Sequence, residues 1–169
     1  MKIVVMRILS VALLLSLPFW GQAQDARIQK MLDKLEWKFE QTSSGNTQIV
    51  FKVDGNETRT QAIFIGKTIN SLGDFDIIEV WSYSAVIPKK KFDEDVAVEL
   101  LTGNESTKLG AWSLFKMEDN GGYKVVYTAK LFLDDLTSAQ LKTICTALTS
   151  TCDEKERDLE SLTGEKDKW

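Results

Sequence analysis

Few side chains in this sequence could run a reaction, so the first question is what chemistry they offer. Histidine is absent from all 169 residues. That removes Ser-His-Asp and Cys-His arrangements, His-ligated zinc or non-haem iron, and the usual acid/base near neutral pH. No phosphate loop, GxGxxG, GxSxG or EF-hand spacing occurs. Carboxylate pairs remain, Asp74/Asp76 and Asp134/Asp135, in principle suited to glycosidase-like work. Both pairs stand at element boundaries, where turn and capping roles are commoner. No residue is therefore assigned a catalytic, cofactor-binding or metal-ligating role, no cofactor is expected, and the chain reads as non-enzymatic.

Cys145 and Cys152 are seven positions apart. On one continuous helix that spacing is about 10 Å of rise, beyond the Cα separation of about 7 Å that a disulfide tolerates. They read as small buried apolar residues, with an intermolecular or redox role as the alternative. Trp81, Tyr83, Trp112 and Phe115 mark either a binding face or, more commonly for aromatics in strands, a core. The run Lys89-Lys90-Lys91 reads as a solvated loop facing Asp93, Glu94 and Asp95, not as a phosphate patch. Asn56-Glu57-Thr58 and Asn104-Glu105-Ser106 match the glycosylation acceptor pattern, which matters only in a eukaryotic secretory pathway.

The chain opens on a basic n-region (Lys2, Arg7), an apolar h-region (Ile8 to Trp20) and a small-residue site at Gly21-Gln22-Ala23. This is the pattern of a signal peptide over residues 1–23, with cleavage expected near Ala23. The apolar run is shorter than the roughly 20 residues that span a bilayer. Export to the periplasm or outside the cell is expected, with no stable membrane insertion afterwards. Removing Lys2 and Arg7 from the 21 basic side chains leaves 19 against 25 acidic ones, a balance of −6. Such a balance argues against nucleic acid and anionic membranes as primary partners. Residues 24–164 are expected to form one α+β domain, followed by a frayed tail at 165–169.

Within that domain the sequence predicts a helix over Asp25 to Phe39, with Ile28, Met31, Leu32, Leu35 and Phe39 on one stripe. Thr42 to Asn46 breaks it. Gln48 to Val53 alternates as a strand, Asp54-Gly55-Asn56 turns, and Thr58 to Ile65 returns. After a break at Asn70 to Asp74, Phe75 to Ile87 reads as a long strand. Asp93 is a candidate N-cap for a helix carrying Val96, Ala97, Leu100 and Leu101 on one face and ending on Gly103. The strand Gly110 to Met117, the Asn120-Gly121-Gly122 turn and the strand Tyr123 to Phe132 then form a hairpin. Thr137 and Gln140 make a capping box, with Leu136 and Leu141 as the staple of a last helix. That helix buries Leu141, Ile144, Cys145, Leu148 and Cys152, touches down again at Leu159 and Leu162, and stops at Gly164.

The predicted order is α-β-β-β-α-β-β-α, an antiparallel sheet with the helices packed on it. Two strands show apolar residues on both sides. Ile78, Val80 and Val86 oppose Trp81, Tyr83 and Ile87, and Val126 and Phe132 oppose Tyr123, Val125, Tyr127 and Leu131. Three helices on one face would leave the other wet unless a helix crosses over or a partner covers it, and a second copy is one such partner.

With that order in hand, short phrases gain meaning. Thr58-Arg59-Thr60-Gln61-Ala62-Ile63-Phe64-Ile65 resembles the Arg-x-Gln-x-Val-x-Val strand of the YbjN-like family, proposed bacterial sensory transduction regulators. Leu100-Leu101 with Asn104 and Gly110, Cys152-Asp153, and Leu162-Thr163-Gly164 resemble further segments of that family. The resemblance implies a fold similar to type III secretion chaperones, small acidic proteins that dimerise and hold extended client segments. It transfers no catalytic residue. Those chaperones act in the cytoplasm, whereas this chain opens on an export signal. The expectation is an exported, dimeric, chaperone-like or regulatory domain that binds a protein or peptide in the bacterial envelope. Its alternative is a small-molecule or envelope-stress sensor using the same sheet face.

Overall fold

The computed structural model describes residues 24–53, 56–118 and 121–164, with backbone alone for 56–58. The segment 1–23 expected as a signal peptide, the Asp54-Gly55 and Asn120 turn positions and the expected tail at 165–169 lie outside the described residues. Three helices are α1 (Ala26–Leu35), α2 (Glu94–Ser106) and α3 (Ser138–Thr163). Seven strands are β1 (Glu40–Gln41), β2 (Thr47–Val53), β3 (Asn56–Ile65), β4 (Asn70–Leu72), β5 (Phe75–Ile87), β6 (Gly110–Lys116) and β7 (Tyr123–Phe132). They form one antiparallel sheet in the order β1-β2-β3-β5-β7-β6, with β4 folded onto the start of β5. The fold is α+β, and its core order is the predicted one. No helix among the described residues is long and apolar enough to cross a membrane.

Several boundaries moved for local reasons. Helix α1 ends at Leu35, not Phe39, because Glu36 adopts a left-handed conformation (φ 54°) and its N–H bonds back to Asp33 and Leu32. Trp37 and Phe39 instead pack from the loop, Trp37 edge-on against Phe51 at 5.0 Å. The break at Asn70 to Asp74 is a hairpin: Gly73 takes positive φ and β4 pairs residue for residue with Phe75 to Ile77. Asp93 does cap α2, accepting from the Val96 N–H at 3.1 Å. The helix nevertheless runs through Gly103 to Ser106, and Leu101 stays exposed. The capping box of Thr137 and Gln140 is present, and Gly164 ends α3 with φ 67°. Leu162, though, faces solvent.

One bulge reassigns a face. Tyr83 pairs with Val126 and Ala85 with Val125, so Ser84 is the extra residue on β5. Beyond it the alternation inverts. Ile87 therefore joins Ile78 and Val80 on the buried side, and Val86 moves to the other face, the reverse of a strict period of two. The core thus lies on one side of the sheet, where Ile63, Ile65, Ile78, Val80, Val125, Ala129 and Leu131 meet Ile28 and Leu32 of α1 and Leu141, Ile144, Leu148 and Leu159 of α3. Helix α2 docks beside them over β6, through Val96 and Leu100.

Candidate binding face

All three described helices sit on that one side, so among the described residues nothing covers the opposite face of the sheet. Its residues follow from register. Phe64 pairs with Trp81, Trp81 with Thr128, Tyr83 with Val126, and Phe115 with Lys124. Cross-strand neighbours on one face meet at about 5 Å, and here they are aromatic. Phe64 stacks on Trp81 at 5.7 Å and meets Tyr83 edge-on at 5.3 Å. Lys124 lays its ammonium over the Tyr83 ring at 5.3 Å. Near the far end of β7, Phe75 and Phe132 pair at 5.4 Å and both are exposed.

These side chains enclose a trough of about 600 Å³, floored by Trp81, Tyr83 and Val126 and walled by Phe115, Met117 and Lys124. Val126 is nearly inaccessible although no helix covers it; its cover is the ring of aromatics around it. The sequence offered four aromatics for a binding face or a core, and the structure divides them. Trp81, Tyr83 and Phe115 line the trough, whereas Trp112 points to the helix side and is buried. Position parity on β6 decides this, since Trp112 and Phe115 sit an odd number of residues apart.

The structure divides both carboxylate pairs. One acid from each pair, Asp76 and Asp134, converges on Arg27, whose guanidinium reaches them at 2.7 and 2.8 Å and Asp25 at 3.0 Å. The hydrogen bond from Arg27 holds the Asp25 carboxyl below its usual range. The cluster ties the start of α1 to one end of the β5–β7 ladder, where β5 begins and β7 finishes. Among the described residues no group of acids or thiols forms a metal site. Cys145 and Cys152 are free and buried, and burial pushes both thiols up to about 12. Lys89, Lys90 and Lys91 form one exposed 3-10 turn. Asn104 is occupied: its side chain accepts from the Trp112 N–H at 2.6 Å and donates to the Trp112 carbonyl at 3.4 Å. Together with Thr107, which donates to the Gly110 carbonyl at 2.7 Å, it closes part of the outer edge of β6.

Sequence reading missed a buried ionic cluster. Strands β3 and β5 pair only from Ile63 to Ile65, and the polar half of α3 lies near where they part. Arg59 donates to Asp153 at 2.5 Å and pairs with Glu156 at 2.7 Å. Gln61 donates to Glu156 at 2.9 Å, and Ser82 donates to Gln61 at 3.2 Å. Burial opposes the Arg59 charge, and the two carboxylates more than offset it, raising its pKa. The signal was available: Arg59 and Gln61 share parity with Ile63 and Ile65, and Glu156 shares the α3 stripe of Cys152 and Leu159.

No family model matches the sequence, and no curated protein does. Among solved structures the fold is similar to E. coli YbjN, described as a candidate transcription regulator. That likeness has 15% identity and a TM-score of 0.49, over 78% of this chain and 89% of that one. The fold is also similar to the Yersinia pestis type III secretion chaperone SycH, solved in complex with a stable fragment of YscM2. There the values are 12% identity and a TM-score of 0.44, over 79% of this chain and 96% of that one. These two neighbours are the groups that the sequence resemblance named. Likeness at this level concerns the course of the chain and assigns no activity.

Proposed function

We propose that the chain is a non-enzymatic, exported domain of the bacterial envelope that binds a protein or peptide partner through its open sheet face, and that it works as a homodimer. One observation carries the binding part: the aromatic trough of Trp81, Tyr83, Phe115 and Val126 on a face that none of the described helices covers. Aromatic side chains supply large contact area at low conformational cost and are enriched where proteins meet. The occupant is a polypeptide segment presenting apolar side chains, with polar groups for Lys116 and Lys124 on the trough wall. Export rests on Lys2, Arg7, the run Ile8 to Trp20 and the small residues before Gln24.

The test is binding of an arrayed peptide library by residues 24–169, compared with Trp81→Ala and Phe115→Asp. Both positions are solvent-facing enough to be changed without opening the core. Loss of peptide capture in both variants, with unchanged melting temperature, is the expected result. Capture that survives both substitutions refutes the assignment of this face. Light scattering at micromolar concentration reads the oligomeric state, and a monomer mass removes the homodimer from the proposal.

A further inference from the structure

A second hollow lies on the helix side, between the end of α2, strands β6 and β7, and the middle of α3. It has a volume of about 420 Å³ and shares no residue with the trough. Trp112 and Tyr127 form its floor, their rings meeting at 4.8 Å and 60°. Ala147 and Leu148 add an apolar wall. Lys155 stands 5.9 Å over the Trp112 ring, 2.5 Å from a Glu99 oxygen and 3.7 Å from Asp158.

Two features of this cleft bear on what it can hold. Trp112 is 7% exposed and Tyr127 3%, yet among the described residues neither the indole N–H nor the phenol O–H has a hydrogen-bond partner. No side-chain nitrogen or oxygen there is both fully occluded and unpartnered, so these two donors open onto the cleft they line. Their rings are buried while the two polar tips keep access to the cleft, where a water or a ligand oxygen can accept from them. The second feature is Gly103, a glycine inside α2 where alanine favours the helix. A Cβ at this position would stand 3.3 Å from Lys155 Nζ and 3.6 Å from Trp112 Cδ1. Glycine keeps the cleft clear.

We propose that this cleft binds a small neutral molecule with an apolar body and a carbonyl-type acceptor, the acceptor taken by Trp112 Nε1–H and Tyr127 Oη–H. The rings, Ala147 and Leu148 hold the apolar part. An anion is disfavoured because Lys155 is already paired with Glu99, while Asp158 and Glu154 line the same wall. A cation is disfavoured because the floor offers donors and the wall carries Lys155 and Lys108. Pockets of this size and mixture are the usual form of small-molecule sites. The proposal does not depend on the open sheet face.

The experiment follows the indole N–H resonances of ¹⁵N-labelled residues 24–169 during titration with benzamide and, separately, benzoate. Trp112→Phe assigns the reporting peak. Benzamide is expected to move the Trp112 peak saturably and leave those of Trp37 and Trp81 in place, while benzoate moves none. Gly103→Ala, which suits the helix and fills the cleft, is expected to keep the melting temperature and weaken benzamide by at least about tenfold. A Trp112 peak that does not respond saturably to benzamide overturns the site. Benzamide binding unchanged in Gly103→Ala overturns the role of the cleft, and equal binding of benzoate overturns the neutral ligand class.

Discussion

Replacing Arg59 by alanine removes the cation that faces two carboxylates inside the fold. Asp153 and Glu156 are 4% and 5% exposed, so water replaces the lost partner poorly. Stranding buried charge in this way costs about 3–5 kcal/mol. Glu156 keeps its hydrogen bond from Gln61, and two further facts pull the figure toward the lower end. Arg59 is itself 28% exposed on its side chain, and Arg157 still reaches Asp153 at 3.2 Å, although from an exposed position worth under about 1 kcal/mol. A loss of about 3 kcal/mol is a large part of the roughly 5–15 kcal/mol that holds a domain together, and it lowers the melting temperature by about 10–15 °C. Urea unfolding followed by tryptophan fluorescence measures it. A triple variant, Arg59→Leu with Asp153→Asn and Glu156→Gln, removes the charges on both sides and is expected to recover part of the loss. If Arg59→Ala stays within about 1 kcal/mol of the parent, or the triple variant is no more stable than the single one, the cluster does not hold α3 to the sheet.

Other consequences are direct. Cys145 and Cys152, with thiols raised to about 12, carry essentially no thiolate at pH 8, so a thiol-selective disulfide reagent should label both only after denaturation. Asn104→Ala removes both contacts to the Trp112 backbone and is expected to cost about 1–2 kcal/mol and to promote self-association through the β6 edge, read by chemical denaturation and light scattering. Gly110→Ala would drive a Cβ into the Thr128 carbonyl of the paired strand, and loss of soluble folded protein is the expected outcome. Asp25, held below its usual range by Arg27, contributes stability that is present above the ordinary carboxylate pKa and is lost as pH falls through the lower folded value. Arg27→Ala should therefore shrink the difference in stability between neutral and acidic pH, measured by unfolding at both.

Local signals carried far. The Thr137–Gln140 capping box, the Asp93 cap, the Gly164 stop and the alternation of β2 all stand where the residues imply them, because each depends on atoms within about one turn of chain. The surplus of apolar residues on two strands foretold a face that the described helices leave bare. Where the reading failed, distant partners decided. Glu36 ends α1 in a left-handed conformation that nothing in its residue type demands. Gly103 suggested a helix end, but it serves a space shared with Trp112 and Lys155.

By itself the sequence determined the α+β order, the antiparallel sheet, the lack of histidine chemistry and the impossibility of a Cys145–Cys152 bond, since these follow from composition and from periods of two and 3.6 residues. Only the tertiary structure decided which face of each strand turns outward: one extra residue at Ser84 exchanges the sides of Val86 and Ile87 on β5, and the pairing of β6 with β7 sends Trp112 inward and Phe115 outward. It alone brought Arg59 to Asp153 and Glu156, 94 residues away in the first case. It alone set the rings of Trp112 and Tyr127 side by side on a common cleft. Contacts between residues so far apart in the chain depend on how whole elements pack, and no local pattern of residues encodes that packing.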